Sequence, residues 1–209
     1  MDSRFSEFVT TEAQFRSVMG NPSHRVLRKH VHALDAHCRA FIAKSPFLLV
    51  ASSDSEGRMD VSPKGDPAGF VRVLDDQTLI IPDRPGNRRA DTFTNLLGNP
   101  HLGLLFLIPG KQETLRVSGT GVIVRDRWIR DEMAIGGKAP DFAIVVKVEE
   151  VFFHCAKCLI RSRLWDRGSW PDLDGLTSLA QTVVDAGKLE ETVAEVQAVI
   201  DRDVRERLY

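Results

Sequence analysis

The sequence has few cysteines: three among 209 residues, at Cys38, Cys155 and Cys158. An odd and small number in a chain of this length argues against the disulfide framework of a secreted protein, so we expect reduced thiols. Long apolar runs are missing as well. The first residues, MDSRFSEFVTTEAQF, contain no apolar stretch of signal-peptide length, and no later segment approaches the ~20 apolar residues that span a bilayer. These absences predict a soluble, cytoplasmic protein.

Neither sign of charge is in excess. The chain has 28 Lys and Arg against 29 Asp and Glu, which gives a net charge of -1 and a pI near 6.6. This balance provides no bulk attraction for nucleic acid or for an acidic membrane, so any anion binding must be local. With 43% hydrophobic residues, the chain can bury the core of one medium-sized domain with an extension.

Turn residues and hydrophobic spacing divide the chain into three predicted parts. Residues 1–44 form an N-terminal helical segment, residues 45–170 a β domain, and residues 171–209 a C-terminal helical extension. In the last part apolar residues recur at helical spacing and Gly187 interrupts them, which predicts two helices.

The N-terminal part carries two helix-start patterns. Thr11 and Gln14 have the spacing of a capping box. Pro22-Ser23 opens a second, longer helix whose apolar residues continue to residue 42. We expect the histidines of this helix to be packed or solvated rather than metal ligands: His30, His32 and His37.

The β domain consists of short apolar runs separated by turn residues. The predicted strands cover residues 46–53, 58–62, 70–74, 78–82, 101–108, 113–125 and 142–153. Because helices do not alternate with these strands, a closed or half-closed antiparallel barrel is favoured over a parallel sheet. Gly119 and Gly121 predict a bend or bulge in the sixth strand.

Residues 85–100, PGNRRADTFTNLLGNP, predict a helix that begins with Asn87 as its N-cap and ends at Gly98 or Asn99. Arg88 and Arg89 would then lie in its first turn, where the helix dipole disfavours each cation by roughly 0.3–1 kcal/mol unless an anion is bound there. Guanidinium groups and free backbone N–H groups suit a phosphate. A solvated pair, ion-paired to Asp83 or Asp91, is an equally good interpretation.

A second motif, DVSPKGDP at residues 60–67, combines a strand end with two prolines, a glycine and Lys64. Such a stiff segment can hydrogen-bond the edge of a planar heterocycle while a proline supplies an apolar wall. An ordinary rigid connection is the alternative.

A third motif, HCAKC at residues 154–158, has the Cys-x-x-Cys spacing. It has no second ligand pair at zinc spacing, and its histidine precedes the cysteines, unlike covalent haem attachment. A redox disulfide is permitted by the spacing but lacks a thioredoxin-like context. We therefore predict no metal, and we favour two cysteines packed at a strand end.

Taken in order, VSPKG at 61–65, IIP at 80–82, GNRR at 86–89, NP at 99–100 and LLF at 104–106 resemble a known family. They resemble the pyridoxamine-5'-phosphate-oxidase-like, FMN-binding split-barrel flavoproteins over residues 46–153. The tail HCAKCLIRSRLW resembles a branch described as probable FMN-dependent enzymes. The resemblance implies a mainly β fold, an antiparallel split β-barrel with helical extensions, and a homodimer with two FMN sites at the subunit interface.

The resemblance also implies that FMN phosphate is the anion at residues 87–89. The cofactor-binding residues it implies are Asn87, Arg88 and Arg89 for the phosphate, Ser62, Pro63 and Lys64 on one side of the flavin, Ile81 and Pro82 on the other, and Arg116 nearby. Arg161, Arg163 and Trp165 could contact flavin or substrate across the interface, or form a surface tail.

The family's authentic oxidases hold their substrate with Trp-x-Gly-Gly followed by Arg-Leu-His-Asp-Arg. Here residues 163–167 read RLWDR, with Trp in place of His and no preceding Gly-Gly. We therefore expect an FMN-dependent oxidoreductase that transfers hydride or electrons to or from an unidentified small molecule. Pyridoxamine or pyridoxine 5'-phosphate oxidation and non-catalytic flavin or haem binding are the alternatives. No catalytic residue is predicted.

Overall fold

The structure is a computed structural model that describes residues 4–209. Residues 1–3 of the predicted N-terminal segment lie outside the described residues. The helices are α1 (Glu12–Met19), α2 (His24–Arg28), α3 (Ala36–Ile42), α4 (Asp91–Gly98), α5 (Arg127–Glu132), α6 (Lys157–Ser162), α7 (Leu179–Gly187) and α8 (Val193–Glu206). The strands are β1 (Phe47–Ser53), β2 (Met59–Gly65), β3 (Arg72–Val73), β4 (Thr78–Pro82), β5 (His101–Leu107), β6 (Thr114–Val124) and β7 (Ala143–His154). None of the helices in this part of the chain is long and apolar enough to cross a bilayer.

The seven strands form one sheet in the order β2-β1-β5-β6-β7-β4-β3, and every neighbouring pair is antiparallel. Within residues 4–209 the edge strands β2 and β3 do not pair with each other, so the sheet is not closed. This confirms the predicted antiparallel, mainly β split barrel with helical extensions.

The core lies between the concave face of the sheet and helices α3 and α4. Alternate side chains of β1 and β6 are fully buried, among them Leu48, Val50, Leu115 and Val117. Leu96 of α4 joins the same cluster. Burial of large apolar side chains contributes roughly 1.5–3 kcal/mol each, so this packing fixes α4 against the barrel.

Polar side chains hold α4 in one orientation. The Nδ2 group of Asn95 donates to Ser52 Oγ over 3.0 Å, and that of Asn99 donates to Ser53 Oγ over 2.9 Å. Because the Asn95 bond is buried, losing it would leave an unsatisfied polar group. The second half of α4 is therefore held against the end of β1.

The bend predicted in the sixth strand is confirmed as a register shift between Ser118 and Gly119. A Cβ atom on Gly119 would lie 2.0 Å from the carbonyl oxygen of Lys147 on β7. Only glycine allows the two backbones to approach this closely.

The long helix predicted after Pro22-Ser23 is wrong. Helix α2 ends at Arg28, Val31 pairs with Val151 of β7 as an isolated bridge, and α3 begins only after Asp35. The Asp35 side chain accepts from Cys38 N and caps α3, so a helix-start signal inside the apolar pattern interrupts it. The capping box at Thr11 is confirmed, and so is the break at Gly187 between α7 and α8.

Candidate functional site

A cleft of ≈ 740 Å³ opens between β2, the connection from β4 to α4, residues 138–142 and the end of α8. It brings together six of the residues predicted to bind the cofactor: Ser62, Pro63, Lys64, Asn87, Arg88 and Arg89. The lining contains six basic and four acidic side chains: Lys64, Arg84, Arg88, Arg89, Lys138 and Arg207 against Asp60, Asp83, Asp91 and Asp141. The cleft therefore carries a local excess of positive charge that the whole chain lacks.

The predicted start of α4 is wrong by several residues. The helix begins at Asp91, its N-cap is Ala90, and Arg88 and Arg89 lie in the loop before it rather than in its first turn. Asn87 accepts a hydrogen bond from Arg89 N over 3.0 Å through its own Oδ1. The side chain preferred at an N-cap also forms this local turn, which takes Asn87 out of the helix start.

The backbone of this loop is strained. Arg88 has φ 61° and Ala90 has φ 56°, both in the left-handed region that non-glycine residues avoid; such residues cost about 1–3 kcal/mol each and cluster at ligand sites. Ala90 provides no side-chain cap, so the first N–H groups of α4 have no side-chain acceptor at the positive end of the helix dipole. Successive backbone N–H groups in such turns form concavities that bind anions.

The two arginines of the loop differ in their surroundings. The Arg89 Nε group donates to Asp91 Oδ2 over 2.8 Å. This hydrogen bond and the charge pairing raise the pKa of Arg89 and lower the pKa of Asp91. Arg88 makes no ion pair and no side-chain hydrogen bond with any residue between 4 and 209. Arg88 is thus an uncommitted cation in the cleft.

Edge strand β2 forms a second wall of the cleft. Pro63 fits there because an edge strand does not need its missing N–H group. Lys64 is partly buried, and its Nζ lies 3.9 Å from Asp83 Oδ1. Burial raises the pKa of Asp83, and the charge of Lys64 offsets part of that increase. A cation and a desolvated carboxylate therefore lie side by side on this wall.

A further cluster at the cleft contains residues that sequence reasoning missed. Arg84 Nε donates to Asp66 Oδ2 over 2.6 Å, and the Tyr209 hydroxyl donates to Asp66 Oδ1 over 2.7 Å. Arg84 is the second residue after the IIP motif and could have been found from that position. Tyr209 gave no local signal, because 143 residues separate it from Asp66.

Three of the predicted cofactor residues do not line this cleft in the described chain. Ile81 is 1% exposed in the core, and Pro82 is buried beside Ala143 of β7. Arg116 is exposed on the other face of the sheet, with its guanidinium carbon 5.6 Å from the centre of the Phe152 ring.

The predicted tail residues also lie apart from the cleft. Arg163 Nη2 donates to Asp166 Oδ2 over 2.6 Å, and Trp165 Nε1 donates to the carbonyl of Lys111 over 2.8 Å. Arg163 and Trp165 line a separate depression of ≈ 340 Å³, while Arg161 is exposed at the end of α6. Their contact with flavin or substrate across a subunit interface stays a prediction.

The thiols of the HCAKC motif are free, and Cys155 and Cys158 are exposed. The interpretation that they pack at the strand end is therefore wrong, because β7 ends at His154 and the chain turns outward into α6. Across residues 4–209 no group of three or more His, Cys, Asp or Glu side chains is arranged to hold a metal ion.

Known proteins are similar to parts of this chain. The family model of pyridoxamine 5'-phosphate oxidase matches residues 34–155. Among solved structures, HupZ of Group A Streptococcus is 20% identical with a TM-score of 0.46, over 57% of this chain and 92% of that one.

A protein of the pyridoxinephosphate oxidase family from Clostridium acetobutylicum, related to general stress protein 26, is 17% identical with a TM-score of 0.41, over 56% of this chain and 85% of that one. HutZ, the heme storage protein of Vibrio cholerae, is 15% identical with a TM-score of 0.38, over 57% of this chain and 93% of that one. No curated protein matches the chain. Likeness to structures at this level carries no argument about function.

Proposed function

This chain belongs to the pyridoxamine 5'-phosphate oxidase family, and from this premise we propose that it is an FMN-dependent oxidoreductase that acts on a small molecule. The observation that carries the proposal is the loop of residues 87–90. It combines an Arg88 without an ion-pair partner among residues 4–209, left-handed backbone at Arg88 and Ala90, and an α4 N-terminus without a side-chain cap from Ala90, all at one cleft. Each of these features becomes favourable when a phosphate is bound.

The donor set fits the phosphate end of FMN. Arg88 can bind phosphate oxygens without giving up another partner, and Arg89 can share its guanidinium between Asp91 and the ligand. The N–H groups at the start of α4 supply neutral donors aimed into the same space. A volume of ≈ 740 Å³ lies within the ~300–1,000 Å³ typical of cofactor sites.

The β2 wall fits the flavin ring. Pro63 offers an apolar surface, and Ser62 and Lys64 offer polar groups that orient a planar heterocycle by its edge. Ile81 and Pro82 are buried on β4 directly before Asp83, and we propose that they support the ring site by holding Asp83 beside Lys64. When bound, FMN supplies a ring that accepts or donates hydride or electrons, and the chain binds, orients and shields it.

We further propose a cytoplasmic homodimer with FMN at the interface. Arg116, Arg161, Arg163 and Trp165 lie outside the cleft of their own chain, so they would reach a flavin only from the partner subunit. Three free thiols fit a reducing compartment.

A haem carrier is less well supported by the donor set. The lining residues of the cleft include no His, Cys or Met within the described chain, and the hydroxyl of Tyr209 is already donated to Asp66. His, Cys, Met and Tyr are the side chains that hold haem iron. A Soret band in the purified protein would nevertheless redirect the assignment.

The test is binding of FMN against riboflavin, which has the same ring without the phosphate. We expect a yellow protein with a flavin absorbance spectrum. Replacing both Arg88 and Arg89 by alanine removes charge-assisted bonds of ~1.5–3 kcal/mol each, so FMN affinity should fall by at least about a hundredfold while riboflavin affinity stays unchanged. Equal loss for both ligands, or a wild-type protein that refuses FMN, would overturn the proposal. Oxidation of reduced nicotinamide by the flavin-loaded protein would distinguish a reductase from a carrier.

A further inference from the structure

The segment after helix α8 is bound to the cleft by a three-residue cluster, which we call the latch: Asp66, Arg84 and Tyr209. The Asp66 side chain is 0% exposed, and each of its oxygens accepts one bond, from Arg84 Nε and from the Tyr209 hydroxyl. Arg84 also donates to the carbonyl of Met133 over 2.9 Å. A buried carboxylate with both oxygens satisfied is costly to disturb, so the latch fixes the Tyr209 ring.

Two more contacts hold the same residue. The guanidinium carbon of Arg84 lies 5.6 Å from the centre of the Tyr209 ring, within cation–π distance. Lys138 Nζ donates to the backbone oxygen of Tyr209 over 2.9 Å. The ring and both of these cations line the cleft. Tyr209 is therefore held as a wall of the cleft.

The latch lies at the end of the cleft opposite residues 87–90, which we call the arginine loop. Asp60 of β2 is beside the start of α4, with Thr92 Oγ1 3.3 Å from Asp60 Oδ2. Asp66 comes six residues later on the same extended chain, roughly 20 Å away at ~3.3 Å per residue. A nucleotide whose phosphate is bound by Arg88 would therefore have room to extend its ring along β2 toward Tyr209.

We propose that Tyr209 forms the ring-side wall of the cleft, so that the segment after α8 is part of the ligand site and Tyr209 contacts the planar heterocycle of the bound nucleotide. This inference rests on the proposed function. It assigns to the segment after α8 a role in binding the ring, separate from the binding of the phosphate by residues 87–90.

The test compares FMN and riboflavin binding to Tyr209→Ala and Tyr209→Phe, measured by quenching of flavin fluorescence. Because both ligands carry the ring, Tyr209→Ala should weaken both by the same factor, roughly three- to tenfold, as expected for loss of an aromatic contact. Tyr209→Phe keeps the ring and should change either affinity by less than about threefold. Arg205→Ala, an exposed position on α8, is the control for disturbance of the helix and should change neither.

A merely structural latch gives a different result. In that case Tyr209→Ala would lower the melting temperature and leave both flavin affinities at the wild-type value, which overturns the inference while the proposed function stands. If the wild-type protein binds neither flavin, the proposed function fails and this inference fails with it. A loss for FMN alone would place Tyr209 at the phosphate and would also overturn it.

A second readout uses Tyr209 as the one tyrosine of the chain. Its hydrogen bond to Asp66, with smaller effects of burial and of the Asp66 charge, raises the pKa of the phenol. Stability from the latch is therefore fully present below the ordinary tyrosine pKa and is lost as pH rises through the folded-state value. Ultraviolet titration should show phenolate forming at higher pH when either flavin is saturating. An unchanged titration in the presence of bound FMN would contradict contact with the ring.

Discussion

Two segments of the chain carry an arginine in the left-handed conformation, and they use it differently. Arg163 has φ 51° and is the C-cap of α6, where its backbone N–H donates to carbonyls of the last turn. Its guanidinium is bonded to Asp166. Arg88 has φ 61° and stands before α4, where it caps no helix, and its side chain has no ion pair with any described residue.

The difference shows when backbone strain indicates a ligand. A left-handed residue at the end of a helix is an ordinary stop, because it lets orphan carbonyls find donors. Within the described chain, the same conformation at Arg88 gives no helix carbonyl a donor, and Ala90 repeats the conformation two residues later. The bond from Arg89 N to Asn87 Oδ1 spans Arg88 but satisfies no helix terminus, so the strain at Arg88 and Ala90 is better explained by a bound anion than by the fold.

The largest difference in FMN affinity is expected between alanine variants of the two left-handed arginines, Arg88 and Arg163. Arg88→Ala should lower FMN affinity by roughly 10- to 100-fold, because a charge-assisted phosphate contact contributes ~1.5–3 kcal/mol. Arg163→Ala should change it by less than about fivefold, since Arg163 is bonded to Asp166 in a separate depression and an exposed charge contact with the partner subunit's flavin would contribute only ~0–1 kcal/mol. Isothermal titration calorimetry of both variants with FMN measures the contrast.

Riboflavin serves as the control ligand for this pair, and neither variant should alter its affinity. A loss at Arg163→Ala as large as that at Arg88→Ala would break the comparison. It would mean that the segment after α6 reaches the phosphate of the partner subunit's flavin.

A smaller effect is expected from the acidic partners of Arg89 and Arg163. Asp91→Asn frees Arg89 from its ion pair and removes a negative charge from the phosphate end of the cleft. It also removes a favourable charge from the first turn of α4, so the net gain should be modest. We expect FMN to bind about two- to fivefold more tightly, within the ~1 kcal/mol typical of such charges, and riboflavin to bind as before.

Asp166→Asn is the matched control, because it frees Arg163 in the same way outside the cleft. It should leave both flavin affinities unchanged. Weaker FMN binding by Asp91→Asn would show that Asp91 orients Arg89 toward the phosphate rather than competing with it.

The sequence predicted the barrel well because strand patterns are local. Strand β1 belongs to a short apolar run that ends at turn residues, and such a run is visible in any short window. Gly119 marked the bulge for the same reason. The long second helix failed because a bridge from Val31 to Val151 is a tertiary contact that overrides helical spacing.

The candidate site was predicted only in part. The arginine loop was found, but the helix start was misplaced, since Asn87 has the same side-chain preference in a local turn as at an N-cap. The latch was missed because Asp66 and Tyr209 meet across 143 residues. Ile81 and Pro82 carried the family pattern, yet they belong to the buried side of β4.

The smallest expected effect is on the free energy of unfolding when each left-handed arginine is replaced by glycine. These variants distinguish backbone strain from ligand binding. Glycine adopts this conformation freely, which relieves ~1–2 kcal/mol, and its greater freedom when unfolded costs ~0.5–1 kcal/mol. Arg88→Gly should therefore raise the free energy of unfolding by roughly 0.5 kcal/mol, while FMN affinity falls as in Arg88→Ala. Arg163→Gly relieves the same strain but loses the Asp166 ion pair, so its stability should stay near the wild-type value. Thermal denaturation of the flavin-free variants measures this. A stabilised Arg163→Gly beside an unchanged Arg88→Gly would reverse the comparison, because the loop before α4 would then hold no strain for an anion to compensate.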